Sequence, residues 1–196
     1  IDKKSFKDLI SRIYALYVNQ APNQASQLKR KMIIKTMDWN SPYFSAWASY
    51  DSVNDVYEIN FWGGMARLTG MTKLGYGLTI CHEIGHILGG KPYHNNGHQD
   101  YMTSEGQSDY FASAECIKKF ASTYKLEPVV DFDPYATSLC FEKFKQEPHQ
   151  FRLCLQSAKA GKDLSQILAD LARKKQYPAF DTPSPQVVET TLYNSY

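Results

Sequence analysis

The hydrophobic positions near the N-terminus recur every 3.6 residues, and this period predicts an amphipathic helix with Ser5 as its cap. Three segments rich in β-branched and aromatic residues follow, separated by turn residues, and they predict short strands. Because short loops join these strands, we expect an antiparallel or mixed sheet. The helix carries Phe6, Leu9, Ile10, Ile13, Tyr14 and Tyr17, and the strands cover residues 31–37, 43–50 and 56–62.

After Gly64 the pattern becomes helical. The apolar stretch at 74–88 predicts one helix, which Gly89 and Gly90 should end. A polar loop follows, and Ser104 begins another helix through a capping box with Gln107, running to about residue 124. Further helices are predicted at 136–145, 148–160 and 163–175. The order of elements predicts an α+β fold, with one domain over 1–177 and an extended tail over 178–196.

Composition narrows the classes of protein. The 196 residues carry a formal charge of +2, which argues against a polybasic nucleic-acid module. No apolar run approaches the roughly 20 residues of a membrane span, so neither a membrane nor a nucleic-acid partner is expected. We expect a monomer. The chain begins at Ile1 rather than Met, which predicts a processed or trimmed product.

The cysteine count is even, and no two cysteines form a C-x-x-C pair, which argues against a zinc ribbon. Four cysteines allow three disulfide connectivities, and the sequence does not choose among them. Disulfides would favour an oxidising compartment, so we predict a secreted or periplasmic protein. The alternative is a cytosolic protein with four buried thiols. The cysteines are Cys81, Cys116, Cys140 and Cys154.

One segment has a specific chemical meaning, the H-E-x-x-H pattern at 82–86. His82 and His86 are four residues apart, so on a helix both imidazoles leave one face and can bind one metal ion. Neutral imidazole is a good zinc ligand. Glu83 lies beside the metal position but angled away from it, where it can take a proton from a zinc-bound water.

Three glycines interrupt this predicted helix, and each costs about 1 kcal/mol against alanine in a helix interior. Such departures from helix propensity collect where close packing or function overrides it. Both readings stay open for these positions, Gly75, Gly77 and Gly85.

A catalytic zinc site needs a third protein ligand and an open position. A histidine three residues after a glycine, in the extended H-E-x-x-H-x-x-G-x-x-H pattern, would fall on Pro92, so that arrangement is excluded. Glu105 on the next predicted helix supplies an acidic ligand, and 18 residues separate it from His86. Asp109 lies one turn further on the same face, where it can hydrogen-bond the free nitrogen of a ligand histidine.

The spacing H-E-x-x-H, 18 residues, E-x-x-x-D resembles the gluzincin zinc metallopeptidases, of which thermolysin is one type, and in particular the small minigluzincins. The resemblance implies that His82, His86 and Glu105 hold one Zn²⁺, that Glu83 is the base and that Asp109 supports the histidines. It implies that residues 1–177 form a single zincin-like metallopeptidase domain, a hydrolase that cleaves peptide or protein substrates. Residues 180–183 also resemble the tail of certain bacterial secreted metallopeptidases, in which the chain continues.

The same resemblance implies two further features. An edge strand should pair with an extended substrate, and we assign this role to the second predicted strand through Ala46, Trp47 and Ala48. A side chain near the metal should also stabilise the transition state. The candidates for this role are His94, His98, Tyr101 and His149.

Three alternatives remain. The chain could be a zinc hydrolase acting on another amide, such as a peptidoglycan peptidase or amidase. It could be a non-catalytic zinc-binding domain, although the presence of Glu83 disfavours this reading. It could also be a structural α+β domain with a chance motif, which requires Glu105 and Asp109 to be coincidental.

Overall fold

The computed structural model describes residues 1–18, 31–94, 102–124, 126 and 131–182, and it confirms the predicted α+β class. A small sheet follows an N-terminal helix, and the rest of the described chain is mainly helical. The strands are β1 (Lys31–Asp38), β2 (Ala46–Asp51) and β3 (Val56–Trp62). The helices are α1 (Lys3–Ala15), α2 (Gly63–Ala66), α3 (Lys73–Leu88), α4 (Glu105–Phe111), α5 (Ile117–Tyr124), α6 (Pro134–Phe144) and α7 (Pro148–Leu171).

The sheet is mixed, with strand order β1-β3-β2. The central strand β3 runs parallel to β1 and antiparallel to β2, so β2 lies at an edge. The prediction that β2 begins at Tyr43 is wrong, because its first paired residue is Ala46. A Cβ on Gly64 would lie 2.3 Å from the carbonyl oxygens of Pro42 and Tyr43, so the chain before Ala46 lies against the start of α2 instead of pairing with β3.

Helix α1 begins earlier than predicted. Asp2, not Ser5, is the N-cap: its Oδ1 accepts the backbone N–H of Ser5 at 2.7 Å. An aspartate side chain satisfies a free N–H of the first turn in this way, and Ser5 therefore lies inside the helix. The apolar face is buried as the period predicts, through Phe6, Leu9, Ile10 and Ile13.

Helix α3 is the centre of the core and is buried along nearly its whole length. It contacts the sheet, α1, α4 and α7. Thr72 caps its N-terminus by accepting the N–H of Gly75 at 3.0 Å. Gly89 ends it and Gly90 follows with φ of +78°, a left-handed conformation that glycine adopts without strain, as predicted.

The C-terminal helices differ from the prediction. The two predicted helices at 148–160 and 163–175 are one continuous helix, α7, which passes through Gly161. Asp163 holds this region: it is buried, it accepts a hydrogen bond from Thr72 Oγ1 at 2.7 Å, and it pairs with Lys159 one turn earlier. These contacts fix the helix to the N-terminus of α3, which offsets the low helix propensity of glycine.

The predicted helix at 104–124 is present, with one irregularity. Ser104 is the N-cap of α4, but the predicted capping box does not form, because Gln107 Nε2 donates to the Gly89 carbonyl at 2.8 Å. A π-helical turn at Ala112–Cys116 separates α4 from α5. Turns of this kind are frequent at functional sites.

Two disulfides select one of the three possible connectivities. Cys81 is bonded to Cys116, which joins α3 to the π-helical turn, and Cys140 is bonded to Cys154, which joins α6 to α7. Within the described ranges, none of the helices combines the length and the apolar character that a membrane span needs.

Helices α3 and α4 are in close contact at Gly85. A Cβ built on Gly85 would lie 2.6 Å from Ser108 Oγ and 2.8 Å from the Ser108 carbonyl oxygen. Ser108 is fully buried, and its hydroxyl donates to the carbonyl of His82. The glycine at 85 is therefore required by packing, because any side chain there would push α4 away from α3.

This contact gives a stability prediction. Gly85→Ala should lower the free energy of unfolding by about 1–3 kcal/mol, because the new methyl group meets backbone that has no room to move. The control is Gly77→Ala on the same helix, where the Cβ would lie 3.1 Å from Cδ1 of Ile117, the far end of a side chain. We expect Gly77→Ala to stay within about 1 kcal/mol of the wild type. Urea unfolding of metal-free protein with intact disulfides measures both, and equal stabilities would contradict the packing argument.

Candidate metal centre

The two helices bring three donor groups together. Glu105 Oε2 lies 3.2 Å from His82 Nε2 and 3.5 Å from His86 Nε2. Their donor atoms all lie within 4.8 Å of one another, a spacing that could hold one metal ion. The histidines are on consecutive turns of α3, and Glu105 is the first residue of α4.

The other ring nitrogens show that this donor set fits a metal. His82 Nδ1 donates to Asp109 Oδ1 at 2.7 Å, and His86 Nδ1 donates to the carbonyl oxygen of Thr103 at 2.8 Å. Because carboxylate and carbonyl oxygens only accept, each Nδ1 carries a proton. Each Nε2 can therefore offer its lone pair on the side where Glu105 lies.

In the metal-free protein, a proton on His82 supplies the positive charge between the donor groups. Burial alone would lower the pKa of His82, but its hydrogen bonds to Asp109 and Glu105 outweigh this and raise the pKa to about 10. The hydrogen bond with His82 lowers the pKa of Glu105. The pKa of His86 is lowered by burial and by the charge of His82. A metal ion would replace the proton on His82 Nε2 as the positive charge between the ligands.

Glu83 faces the same cleft but is not one of the three converging donors. Its side chain is buried, and the backbone N–H of Ala48 on β2 hydrogen-bonds to it. Burial raises the pKa of Glu83 to about 7, although the nearby charge of His82 acts in the opposite direction. The carboxylate thus stands between the metal ligands and the edge strand.

A cleft of about 250 Å³ opens over the three donors. The edge strand forms one wall, so Ala46, Trp47 and Ala48 lie where the sequence resemblance implied a substrate strand. His94 and Met102, from the connection between α3 and α4, also line this cleft.

The four candidate stabilisers have different positions. His94 lines the cleft and is buried. His149 lies at the start of α7, where its Nε2 is 3.1 Å from Ser122 Oγ of α5, and it does not line this cleft. His98 and Tyr101 lie outside the described residues.

Sequence reasoning missed a second cavity, of about 480 Å³, which shares Ala46, His82 and Glu83 with the cleft. Helix α7 supplies one wall through side chains that recur at helical spacing. The spacing of these residues in the sequence indicates an apolar stripe on one face of the helix. The neighbouring sequence does not indicate which cavity that stripe lines. The apolar side chains are Phe44, Met65, Leu78, Leu164, Leu168 and Leu171.

Comparisons with protein-family models, with curated proteins and with solved structures found nothing that matches this chain.

The geometry predicts a ranking of metal affinities. Glu105→Ala should weaken metal binding by more than about 100-fold, because it removes one of three ligands. Asp109→Ala should weaken it by about 10-fold, at the low end of the range for supporting carboxylates, because the Asp109 side chain is 74% exposed.

Competition titration with a chromogenic zinc chelator measures these affinities. The control is Glu115→Gln, which removes an exposed carboxylate from the neighbouring π-helical turn and should leave affinity unchanged. An unchanged affinity in Glu105→Ala would place the third ligand elsewhere.

Proposed function

We propose that this protein is a zinc metallopeptidase of the gluzincin type, which holds one zinc ion through His82, His86 and Glu105. The observation that carries the proposal is the position of Glu83, a buried carboxylate beside the three donors and next to the edge strand. Two imidazoles and one carboxylate form a common ligand set of catalytic zinc, which keeps a further position open. A purely structural zinc site has no use for a fourth, separate carboxylate in an open cleft.

A zinc ion bound here would lower the pKa of a water molecule and polarise a carbonyl group. Glu83 accepts a proton as the water oxygen bonds to the carbonyl carbon of the substrate. The C–N bond then breaks, and Glu83 delivers that proton to the leaving nitrogen. The products are a carboxylic acid and an amine, and the acid then loses its proton to the amine to give a carboxylate and an ammonium ion, while Glu83 returns to its starting form.

The edge strand favours an extended peptide as substrate. One side of β2 pairs with β3, and β2 has no strand on its other side within the described sheet. The backbone groups along this edge other than the Ala48 N–H, which Glu83 accepts, can pair with a peptide by β-strand addition, which would hold its amide bonds over the cleft. This feature supports peptide hydrolysis over hydrolysis of a small isolated amide.

The second cavity suggests which peptides fit. It opens beside Glu83 and is walled by leucine, methionine and phenylalanine side chains, with Leu168 and Leu171 partly exposed in it. An apolar side chain placed there would remove this surface from water. We therefore propose that cleavage occurs beside a large apolar residue of the substrate.

The two disulfides support an oxidising location for this activity. Disulfides persist in secreted and periplasmic proteins and are rare in the reducing cytosol. We propose that the enzyme acts outside the cytosol as a monomer, on peptides or proteins it meets there.

The role of Glu83 is tested by Glu83→Gln. The amide cannot accept the proton, so kcat on casein or a peptide substrate should fall by about 10²–10⁴-fold while zinc content stays at one per chain. Glu58→Gln is the matched control, since Glu58 is also a buried carboxylate and pairs with Lys35 on the sheet. Full hydrolysis by Glu83→Gln would contradict the role of Glu83 as the general base. Cleavage of muropeptides but of no linear peptide by the wild type would favour the peptidoglycan alternative.

The apolar cavity is tested by Leu168→Lys. The preference to be measured is kcat/KM for a peptide with leucine at the cleavage site, divided by kcat/KM for the same peptide with glutamate. A lysine at position 168 should lower this ratio by at least about 10-fold. Leu139→Lys is the control, because Leu139 on α6 is 48% exposed, close to the 47% of Leu168, and does not line the cavity. If the two variants keep the same ratio, the cavity does not select the substrate.

A further inference from the structure

The two faces of the edge strand β2 carry side chains of different kinds. Ala46 and Ala48 pair with buried residues of β3, so their side chains face the core. Trp47 lies between them and pairs with Asn60. Because side chains alternate along a strand, Trp47 points to the opposite, outer face of the sheet. It is 53% exposed, and it also lines the rim of the metal cleft.

Trp47 belongs to a group of three aromatic residues at this end of the sheet. Trp62 lies on the same face of β3, and the ring centroids of the two indoles are 4.7 Å apart, with planes at 68°. Tyr43, which is 68% exposed, packs edge-on against Trp62 at 6.4 Å. We call these three residues the aromatic cluster. The next pair along the same face, Ser49 and Glu58, is polar, so the exposed aromatic surface is concentrated beside the cleft.

The hydrogen bond between Ala48 and Glu83 shows which backbone groups of β2 face the open edge. Glu83 accepts the Ala48 N–H, so the backbone groups of Ala46 and Ala48 point away from β3 and those of Trp47 point toward it. A peptide antiparallel to this edge, the more stable direction of pairing, would therefore bond to the two alanines. Its residue opposite Trp47 would form a pair without hydrogen bonds.

A pair of this kind brings the two side chains close together. Residues directly opposite each other in neighbouring strands point to the same face of the sheet, and in pairs without hydrogen bonds the Cα atoms are only about 4.5 Å apart. The peptide side chain opposite Trp47 would therefore lie on the outer face, against the exposed surface of the aromatic cluster.

We propose that the aromatic cluster is a substrate subsite, which takes a large apolar or aromatic side chain from the peptide residue opposite Trp47. This inference rests on the proposed peptidase function and adds a second point of selection, on the other face of the strand from the apolar cavity. An apolar side chain there removes indole and phenol surface from water. An aromatic side chain also gains edge-to-face or offset contacts with these rings.

The antiparallel direction determines where this residue lies in the substrate sequence. The apolar cavity is lined by Phe44, Ser45 and Ala46 of this segment, but not by Trp47 or Ala48. An antiparallel peptide passes Trp47 before it reaches these three residues. The residue on the aromatic cluster therefore precedes, by one to three positions, the residue whose side chain enters the cavity.

A peptide series tests the proposal in zinc-loaded protein. Each peptide has leucine at the residue that enters the cavity, and the three residues before it are changed in turn to phenylalanine or glycine. At one of these positions, wild type should cleave the phenylalanine peptide with a kcat/KM at least about 10-fold above that of the glycine peptide. Trp47→Ala should reduce this ratio to less than about 3-fold, and Trp47→Phe, which keeps a ring, should retain at least about half of it.

Two controls separate the subsite from a general effect on the fold. Tyr135→Ala removes another exposed aromatic side chain, on α6, which does not line the cleft or the apolar cavity, and it should leave the ratio unchanged. The preference for leucine over glutamate in the cavity should be the same in Trp47→Ala as in wild type. An unchanged melting temperature in Trp47→Phe confirms an intact sheet.

Binding gives a second readout that does not depend on turnover. In zinc-loaded Glu83→Gln, calorimetry should show the phenylalanine peptide binding at least about 5-fold more tightly than the glycine peptide. The double variant Glu83→Gln, Trp47→Ala should bind the two peptides with affinities that agree within about 2-fold.

Three outcomes would overturn the assignment. They are a wild type without a preference at any of the three positions, a Trp47→Ala protein that keeps the wild-type ratio, and an equal loss for the phenylalanine and glycine peptides. Muropeptides that bind Glu83→Gln more tightly than linear peptides, with the difference lost in the double variant, would assign the cluster to a glycan instead. Failure of the proposed function would look different, as full hydrolysis by Glu83→Gln or no hydrolysis of any peptide by wild type.

Discussion

The close contact between α3 and α4 at Gly85 and Ser108 is the constraint on which the candidate site depends. The two histidines are on one helix, but the carboxylate that faces them starts another, and the distance between the helices decides whether the three groups meet. A glycine at 85 lets the backbone of α4 approach, and the Ser108 hydroxyl then bonds the carbonyl of His82. The low helix propensity of this glycine is thus the cost of bringing Glu105 within reach of both imidazoles.

Helix α3 positions the residues of both the cleft and the second, apolar cavity. Its C-terminal half carries the histidines, and its N-terminal cap, Thr72, is hydrogen-bonded to the buried Asp163 of α7. That hydrogen bond positions the apolar stripe of α7 beside Glu83. Helix α3 therefore holds both the wall of the second cavity and the metal-donor groups in place. The edge strand completes the arrangement by giving the Ala48 N–H to Glu83.

The three metal-donor residues could be predicted because their arrangement depends on residues that are close together in the sequence. Helical spacing alone puts His82 and His86 on one face, and a carboxylate at the start of the next helix completes the set. The rest depended on contacts between distant residues. The continuity of α7 through Gly161 and the apolar cavity depend on packing against α3, which the Thr72–Asp163 hydrogen bond makes across 91 residues. The pairing of the cysteines depends on which helices meet, α3 with the π-helical turn and α6 with α7. The start of β2 was missed for the same reason, since Gly64 draws the preceding chain toward α2.

The bond between Cys81 and Cys116 encloses the whole donor set in one covalent ring. The ligands, Glu83 and Asp109 all lie between these two cysteines in sequence. A protease that cleaved the connection between Gly89 and Ser104 would therefore produce two fragments that stay attached, each retaining its helix and its share of the ligands. The covalent ring would therefore keep both halves of the donor set in one molecule after such a cut.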